Sequence, residues 1–394
     1  MDYVPAVQAR SLAERLAAPG PKRILSLDGG GIRGVLTLEY LARIEALLRE
    51  RSSTPETFCL ADYFDLIGGT STGSIIAAGL ALGFPVARLQ RLYTTLATTI
   101  FDRPPYRFGV FVPKFGRQPL VDALKAEFGD ETLGSPRLRT GLMVMTKRLD
   151  TGSPWPLNNN PRGRYYHERP GGSAIANKHF PLWQVVRAST AAPHYFEPER
   201  LSIAVSDAAF VEGAFVDGGV SPFNNPSLQL LLLATLKGYG FEWRTGADDL
   251  LLVSVGTGSG AAALTAENVA AMTALEQAAR SLEALMTDCD ALVQTLMQWL
   301  GRTATPWTID REIGRLEGDT LGGREWITYL RYNAVLEPEW LRREIGESIS
   351  ETQAAALRAM DDPSNVTELA RIGALAARRQ VVSGHFPGGF DPGP

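Results

Sequence analysis

Short apolar runs alternate along the first two thirds of the chain with segments whose apolar residues recur every three or four positions, the pattern of strands separated by helices. Residues 22–27 (Lys-Arg-Ile-Leu-Ser-Leu) predict a buried strand, and Leu38, Leu41, Ile44, Leu47 and Leu48 give helical spacing over 35–49. A second apolar strand runs through Leu66 and Ile67 into a helix-like stretch from Ile75 to Leu82. Leu89, Leu92, Tyr93 and Leu96 continue that helix through Pro85 to Ile100. Further on, 118–128 predict a helix, 140–146 a strand, and the Pro, Asn and Gly-rich segment 153–172 a long irregular excursion of the kind that forms lids or binding surfaces. Pro181 opens another helix, at an early position where a missing N–H costs nothing. Two more apolar strands end on Asp217-Gly-Gly and, over 250–255, on Gly256-Thr-Gly258. This order predicts an α/β fold with a largely parallel sheet.

Beyond residue 265 the period changes. Val269, Met272, Leu275, Ala279, Leu282, Met286, Cys289, Val293, Leu296 and Leu300 form one long amphipathic stripe, and the remainder reads as acidic and mostly helical. The expected organisation is a leader over 1–21, an α/β domain over 22–260 and a helical region over 261–394. That last region serves packing, with homo-oligomerisation or regulation as alternative uses.

Composition narrows the class. With 45% hydrophobic and 21% charged residues, the 394-residue chain is an ordinary globular protein. Residues 1–260 hold 27 basic and 24 acidic side chains and the rest 12 and 19, which speaks against a nucleic acid polymer as partner of the tail. Cys59 and Cys289 lack metal-ligand or disulfide spacing and fit a reducing compartment. The first residues lack the apolar core of a signal peptide, and no apolar run approaches the ~20 residues a spanning helix needs, so the expectation is a cytoplasmic protein. Residues 103–117 carry four basic and four aromatic side chains and no acid, as a packed surface loop or as a patch that dips into lipid headgroups.

Three stretches carry candidate chemistry. Gly69-Thr-Ser71-Thr-Gly73 lies between a strand and a helix, where a serine on a sharp turn exposes its hydroxyl and the glycines allow close approach. Asp28-Gly-Gly-Gly-Ile-Arg-Gly34 joins the first strand to the first helix. Its converging amides suit a dinucleotide phosphate (with Glu45 or Glu50 on the ribose), a tight structural turn, or an oxyanion; the neighbouring serine turn favours the oxyanion. Ser71 also needs a base. Of the four histidines, His385 would complete a Ser71, Asp217, His385 triad but lies near a loose terminus, and His194 reads as structural or as pocket lining. Asp217 could instead accept the proton directly, provided burial raises it above the usual carboxylate value of about 3.9.

Taken together and in this order, Asp28-Gly-Gly-Gly-Ile-Arg-Gly34, Gly69-Thr-Ser-Thr-Gly73 and Asp217-Gly-Gly219 resemble the motifs of the patatin-like phospholipases. Ala188 to Pro193 with Phe196, and Val255-Gly-Thr-Gly258, extend the likeness over roughly 22–260. The resemblance implies a three-layer α/β fold and a Ser71/Asp217 dyad. It implies an oxyanion hole from Gly29, Gly30, Gly31 and Arg33, the donors being the backbone amides around Gly30 and Gly31 with Arg33 shaping that loop, an elbow flanked by Gly69 and Gly73, and motif support from Gly34, Gly218 and Gly219. It further implies phospholipid acyl-ester hydrolysis without metal or cofactor, at the inner face of a membrane touched peripherally. Some bacterial members are antiphage effectors switched on by cyclic nucleotides, so such an activator is a further expectation, although no stretch of the sequence shows a nucleotide pocket. The rivals are a Ser/Asp/His carboxylesterase, a nicotinamide oxidoreductase and a non-catalytic lipid-binding protein.

Overall fold

The computed structural model describes residues 11–100, 114–206, 209–260 and 265–392. Among the described residues nine strands form one sheet: β1 (Lys22–Leu27), β2 (Leu66–Thr70), β3 (Gly141–Arg148), β4 (Ser153–Asn158), β5 (Glu199–Ser206), β6 (Ala209–Asp217), β7 (Leu250–Val255), β8 (Gly301–Arg302) and β9 (Ile327–Tyr332). The order is β5-β6-β3-β2-β1-β7-β9-β8, with β4 paired to β3. Strands β3, β2, β1, β7, β9 and β8 run parallel, and β4, β5 and β6 enter antiparallel pairs at one side.

Both faces of the parallel part are covered, which is why its strands are apolar throughout rather than alternating. On one face Leu25, Leu27, Ile67, Leu142, Val144, Leu251 and Val253 pack under the helices Gly34–Arg49, Thr72–Ala81 and Val366–Gln380. On the other, Ile24, Leu66, Met143, Met145 and Leu252 meet the helix Ser227–Thr235 and the last turns of Ala274–Leu300 through Leu230, Val293 and Met297. Each fully buried side chain of this kind contributes about 1.5–3 kcal/mol, so the two cores hold the three layers and fix the register of the strand ends.

Several sequence expectations need correction. The helix after Ser71 does not continue to Ile100: it ends at Ala81, Gly83 turns the chain with φ of 82°, and Val86–Ile100 starts afresh. Residues 153–158 of the supposed irregular excursion pair with β3 as β4. The apolar stripe is split into Ala266–Ala270 and Ala274–Leu300, the second started by a Thr273 capping box. Residue 260 does not close the sheet, because β8 and β9 extend it from within the region expected to be helical. Most of 103–117 lies outside the described residues, as does part of the leader. No helix among the described residues is long and apolar enough to cross a membrane.

Candidate active site

The register of β3 brings the serine and the carboxylate together. β2 runs parallel along β3 and its last pair is Thr70 with Met145. From the next residue of β3 onward the same edge is occupied by β6, which arrives antiparallel and ends with Asp217 opposite Thr146. Two strands therefore point their C-terminal ends at one another along a third, and Ser71 and Asp217, 146 positions apart in sequence, lie at the junction.

Ser71 turns that junction into an elbow. Its φ of 53° and ψ of −123° are unusual for a residue with a side chain, a strain of roughly 1–3 kcal/mol that the surroundings must hold. The Ser71 N–H donates to Ser189 Oγ at 2.8 Å, and Ser189 Oγ donates to the Met145 carbonyl at 2.6 Å. Ser74 clamps the other side, its hydroxyl donating to the Ser71 carbonyl at 2.6 Å. Gly69 and Gly73 are required by contact: a Cβ on Gly69 would enter the Gly73 carbonyl, and one on Gly73 would enter that of Leu27.

Asp217 is buried, and desolvation pushes its pKa up to about 6; the Ser71 hydroxyl, the Gly219 N–H at 2.7 Å and the Arg187 charge each pull it back. The first effect wins because an ionised carboxylate loses more in leaving water than these partners return. Arg187, fully buried behind Phe196 with its guanidinium carbon 5.1 Å from that ring's centre, has its own pKa brought down to about 10 by burial.

The glycine loop faces the pair. Gly30 and Gly31 line the cavity, and among the described residues their N–H groups have no acceptor. Gly29 stands differently from the expectation, and Arg33 acts on the loop rather than on the cavity. The Gly29 N–H is bonded to the Asn224 carbonyl at 3.1 Å, and Gly29 lies so close under the serine that a Cβ there would come within 3.2 Å of Ser71 Cβ. Arg33 does not line the cavity; its Nε approaches the Gly30 carbonyl at 3.5 Å, and burial lowers its pKa to about 10. Both brace the loop instead of offering donors to the cavity. Gly34 leaves room for Tyr93 and Thr72, while Gly218 fits against the Met145 carbonyl.

Residues that sequence reasoning missed hold this loop from below and from the tail. Arg331 of β9 grips Asp28 with both nitrogens, at 3.0 and 2.6 Å, and also donates to Ser254 Oγ at 2.8 Å. Burial still pushes Asp28 up to about 6 against that attraction. Asp290 accepts from Asn224 Nδ2 and from the Asn225 N–H, both at 3.1 Å, and Asn224 in turn holds Gly29. The Met360 carbonyl accepts the Ile32 N–H at 2.9 Å, where Gly31, with φ of 59°, leaves no space for a side chain. Only Ser189 carried a sequence signal, inside the Ala188 to Pro193 block.

His385 Nδ1 pairs with the Tyr332 hydroxyl at 3.0 Å and does not line the cavity, whereas His194 lines it as an exposed residue of the rim. Glu45, a candidate for a ribose, is buried and paired with Arg49 at 3.2 Å. Among the described residues no group of three or more His, Cys, Asp or Glu side chains is placed to hold a metal. The cavity itself measures about 510 Å³, and around Ser71 and Asp217 its walls are largely apolar, with Ile75, Leu96, Leu120, Phe196 and Met286 among them.

A strained serine, a buried carboxylate and loop amides without an acceptor among the described residues meet at a largely apolar cavity on a three-layer sheet. Residues 25–231 match the family described as Patatin-like phospholipase, and the chain belongs to that family. It is 33% identical over 217 residues to the cGAMP-activated phospholipase of Vibrio cholerae serotype O1, covering 52% of this chain and 55% of that one. With the cGAMP-activated phospholipase of Escherichia coli strain TW11681 it shares 30% identity over 242 residues, 60% of this chain and 62% of the other. Patatin-15 of Solanum tuberosum is 27% identical over 283 residues, 67% of this chain and 70% of that protein. The chain thus covers between half and two thirds of the length of the two bacterial relatives.

Proposed function

We propose that the protein is a serine lipid acyl hydrolase that cleaves acyl esters of membrane phospholipids through an acyl-enzyme on Ser71. The observation that carries this reading is the meeting of β2 and β6 on β3, which sets the strained serine beside a desolvated carboxylate. Ser71 Oγ attacks the ester carbonyl carbon while its proton passes to Asp217; the oxygen that gains the negative charge sits against the Gly30 and Gly31 N–H groups. Donors of this kind are worth roughly 3 kcal/mol each in the transition state. Collapse breaks the ester C–O bond, and the departing alcohol takes the proton from Asp217. Water then gives a proton to Asp217 and attacks the acyl-serine, and Ser71 recovers that proton as the fatty acid leaves. A carboxyl near pKa 6 suits both tasks at neutral pH, being ionised enough to accept a proton and basic enough to hold it briefly.

Release of fatty acid from phospholipid vesicles tests the reading. Wild type releases it, Ser71→Ala and Asp217→Ala do not, and equal release by all three overturns the assignment. A second reading concerns control: two relatives are named cGAMP-activated phospholipases, and we extend to this chain the role of an antiphage effector whose hydrolysis a cyclic dinucleotide raises. Titration of cGAMP into the vesicle assay decides it, an unchanged rate removing the activator.

A further inference from the structure

The β5–β6 hairpin is unlike the rest of the sheet. Its pairing to β3 stops at Phe215 opposite Arg148, and residues 209–214 continue past the end of β3 on the side of the sheet where Ser71 lies. At about 3.3 Å per residue, Ala209 at the far end of β6 stands roughly 26 Å along the strand from Asp217. Segment 173–175 adds a third strand-like edge, with the Val205 N–H donating to the Ser173 carbonyl at 2.8 Å and the Ile175 N–H to that of Ile203 at 2.9 Å.

A projecting strand pair would be expected to carry polar residues outward. Here Phe210 is 70% exposed, Val205 42% and Val211 40%, and Leu149, on the neighbouring turn after β3, is 53% exposed. The loop that leads into the added edge holds Arg164 and Arg169 over the exposed Tyr165 ring, at 5.7 and 5.9 Å, and neither has a carboxylate partner among the described residues. Apolar side chains on the strand pair, with guanidiniums that lack a carboxylate partner among the described residues and an exposed phenol on the loop leading into its added edge, are complementary to a phospholipid surface, with its acyl interior and anionic phosphates. Both feet of the hairpin are walls of the active-site cavity: Pro193, Tyr195 and Phe196 precede β5, and Asp217 and Val220 end or follow β6.

We infer that the β5–β6 hairpin is a prong whose tip, through Val205, Phe210 and Val211, enters a phospholipid bilayer and sets the mouth of the cavity against it. The inference rests on the phospholipid reading above but is tested apart from it. Binding is measured by cosedimentation with vesicles of mixed zwitterionic and anionic phospholipid in a Ser71→Ala background, where no hydrolysis intervenes. Phe210→Ser with Val211→Ser is expected to weaken binding at least about tenfold, as the loss of two inserted apolar side chains requires. Phe210→Trp, which keeps an aromatic suited to an interface, retains it. With Ser71 restored, the double variant loses vesicle hydrolysis about as much, while turnover of a water-soluble short-chain ester stays within about twofold. Unchanged vesicle binding by the double variant overturns the prong, as does a parallel fall in soluble-ester turnover, or a tip that mediates self-association in place of lipid binding. If wild type hydrolyses no ester while the Ser71→Ala protein still binds vesicles through Phe210, the prong stands and the hydrolase reading falls.

Discussion

Replacing Asp217 by Asn separates what the carboxylate does for catalysis from what it costs the fold. The side chain is buried, and its pKa in the folded protein, about 6, lies above the ordinary 3.8 of an unfolded chain. At about 1.36 kcal/mol per pKa unit the gap amounts to about 3 kcal/mol. Its sign follows from which state holds the proton more tightly, here the folded one. Below pH 3.8 the carboxyl is neutral in both states and costs nothing; as pH rises toward 6 the unfolded chain ionises first and stability is lost; above 6 the whole penalty is present. Asparagine never ionises, and its carbonyl still accepts the Gly219 N–H. The Asp217→Asn protein should therefore be inactive yet more stable than wild type by up to about 3 kcal/mol at pH 8, with the advantage vanishing near pH 4. Guanidinium unfolding of both proteins at pH 4, 6 and 8 measures the difference directly. Equal stability at pH 8, or a gap that does not close on acidification, would refute the claim that Asp217 is held ionised at the expense of the fold.

Further predictions concern the supports. Arg331→Met leaves the Asp28 carboxylate buried without its partner and should destabilise the protein by about 3–5 kcal/mol, while Asp28→Asn on the same background recovers much of that loss; urea denaturation of the four proteins of the cycle tests it. With a soluble ester, kcat/KM should rise with an apparent pKa near 6 and fall about tenfold per pH unit well below it; a pH-independent rate over 4.5–6 would exclude a carboxylate base. His385→Ala should keep turnover within about twofold, since the imidazole is bound to Tyr332; loss of activity would restore a histidine triad.

What the sequence made legible was local. Gly69, Ser71 and Gly73 between an apolar strand and a helix, and Asp217 at the end of another, announce themselves because turn chemistry and two-residue or three-and-a-half-residue periods are encoded within a dozen positions. The handover on β3 from Thr70 to Asp217 is a matter of register between strands far apart, and no local pattern states it. The same holds for Arg331, Asp290 and Met360, which reach the glycine loop from a region whose composition reads as helical. β9 in particular is buried on both faces, Ile327, Tyr329 and Leu330 completely so, and a short run of that kind is ambiguous between strand and buried helix. Gly29 shows the other limit: its motif position suggested an oxyanion donor, but only the contact with the Asn224 carbonyl shows that its N–H is already occupied.

The central claim is that Ser71 is a nucleophile made reactive by Asp217. Reaction with a fluorophosphonate, followed by mass mapping of the modified peptide, addresses it most directly. One adduct is expected, on Ser71, formed at a rate that falls by orders of magnitude in Asp217→Ala; labelling of a different serine, or of Ser71 at the same rate without the carboxylate, would contradict that role.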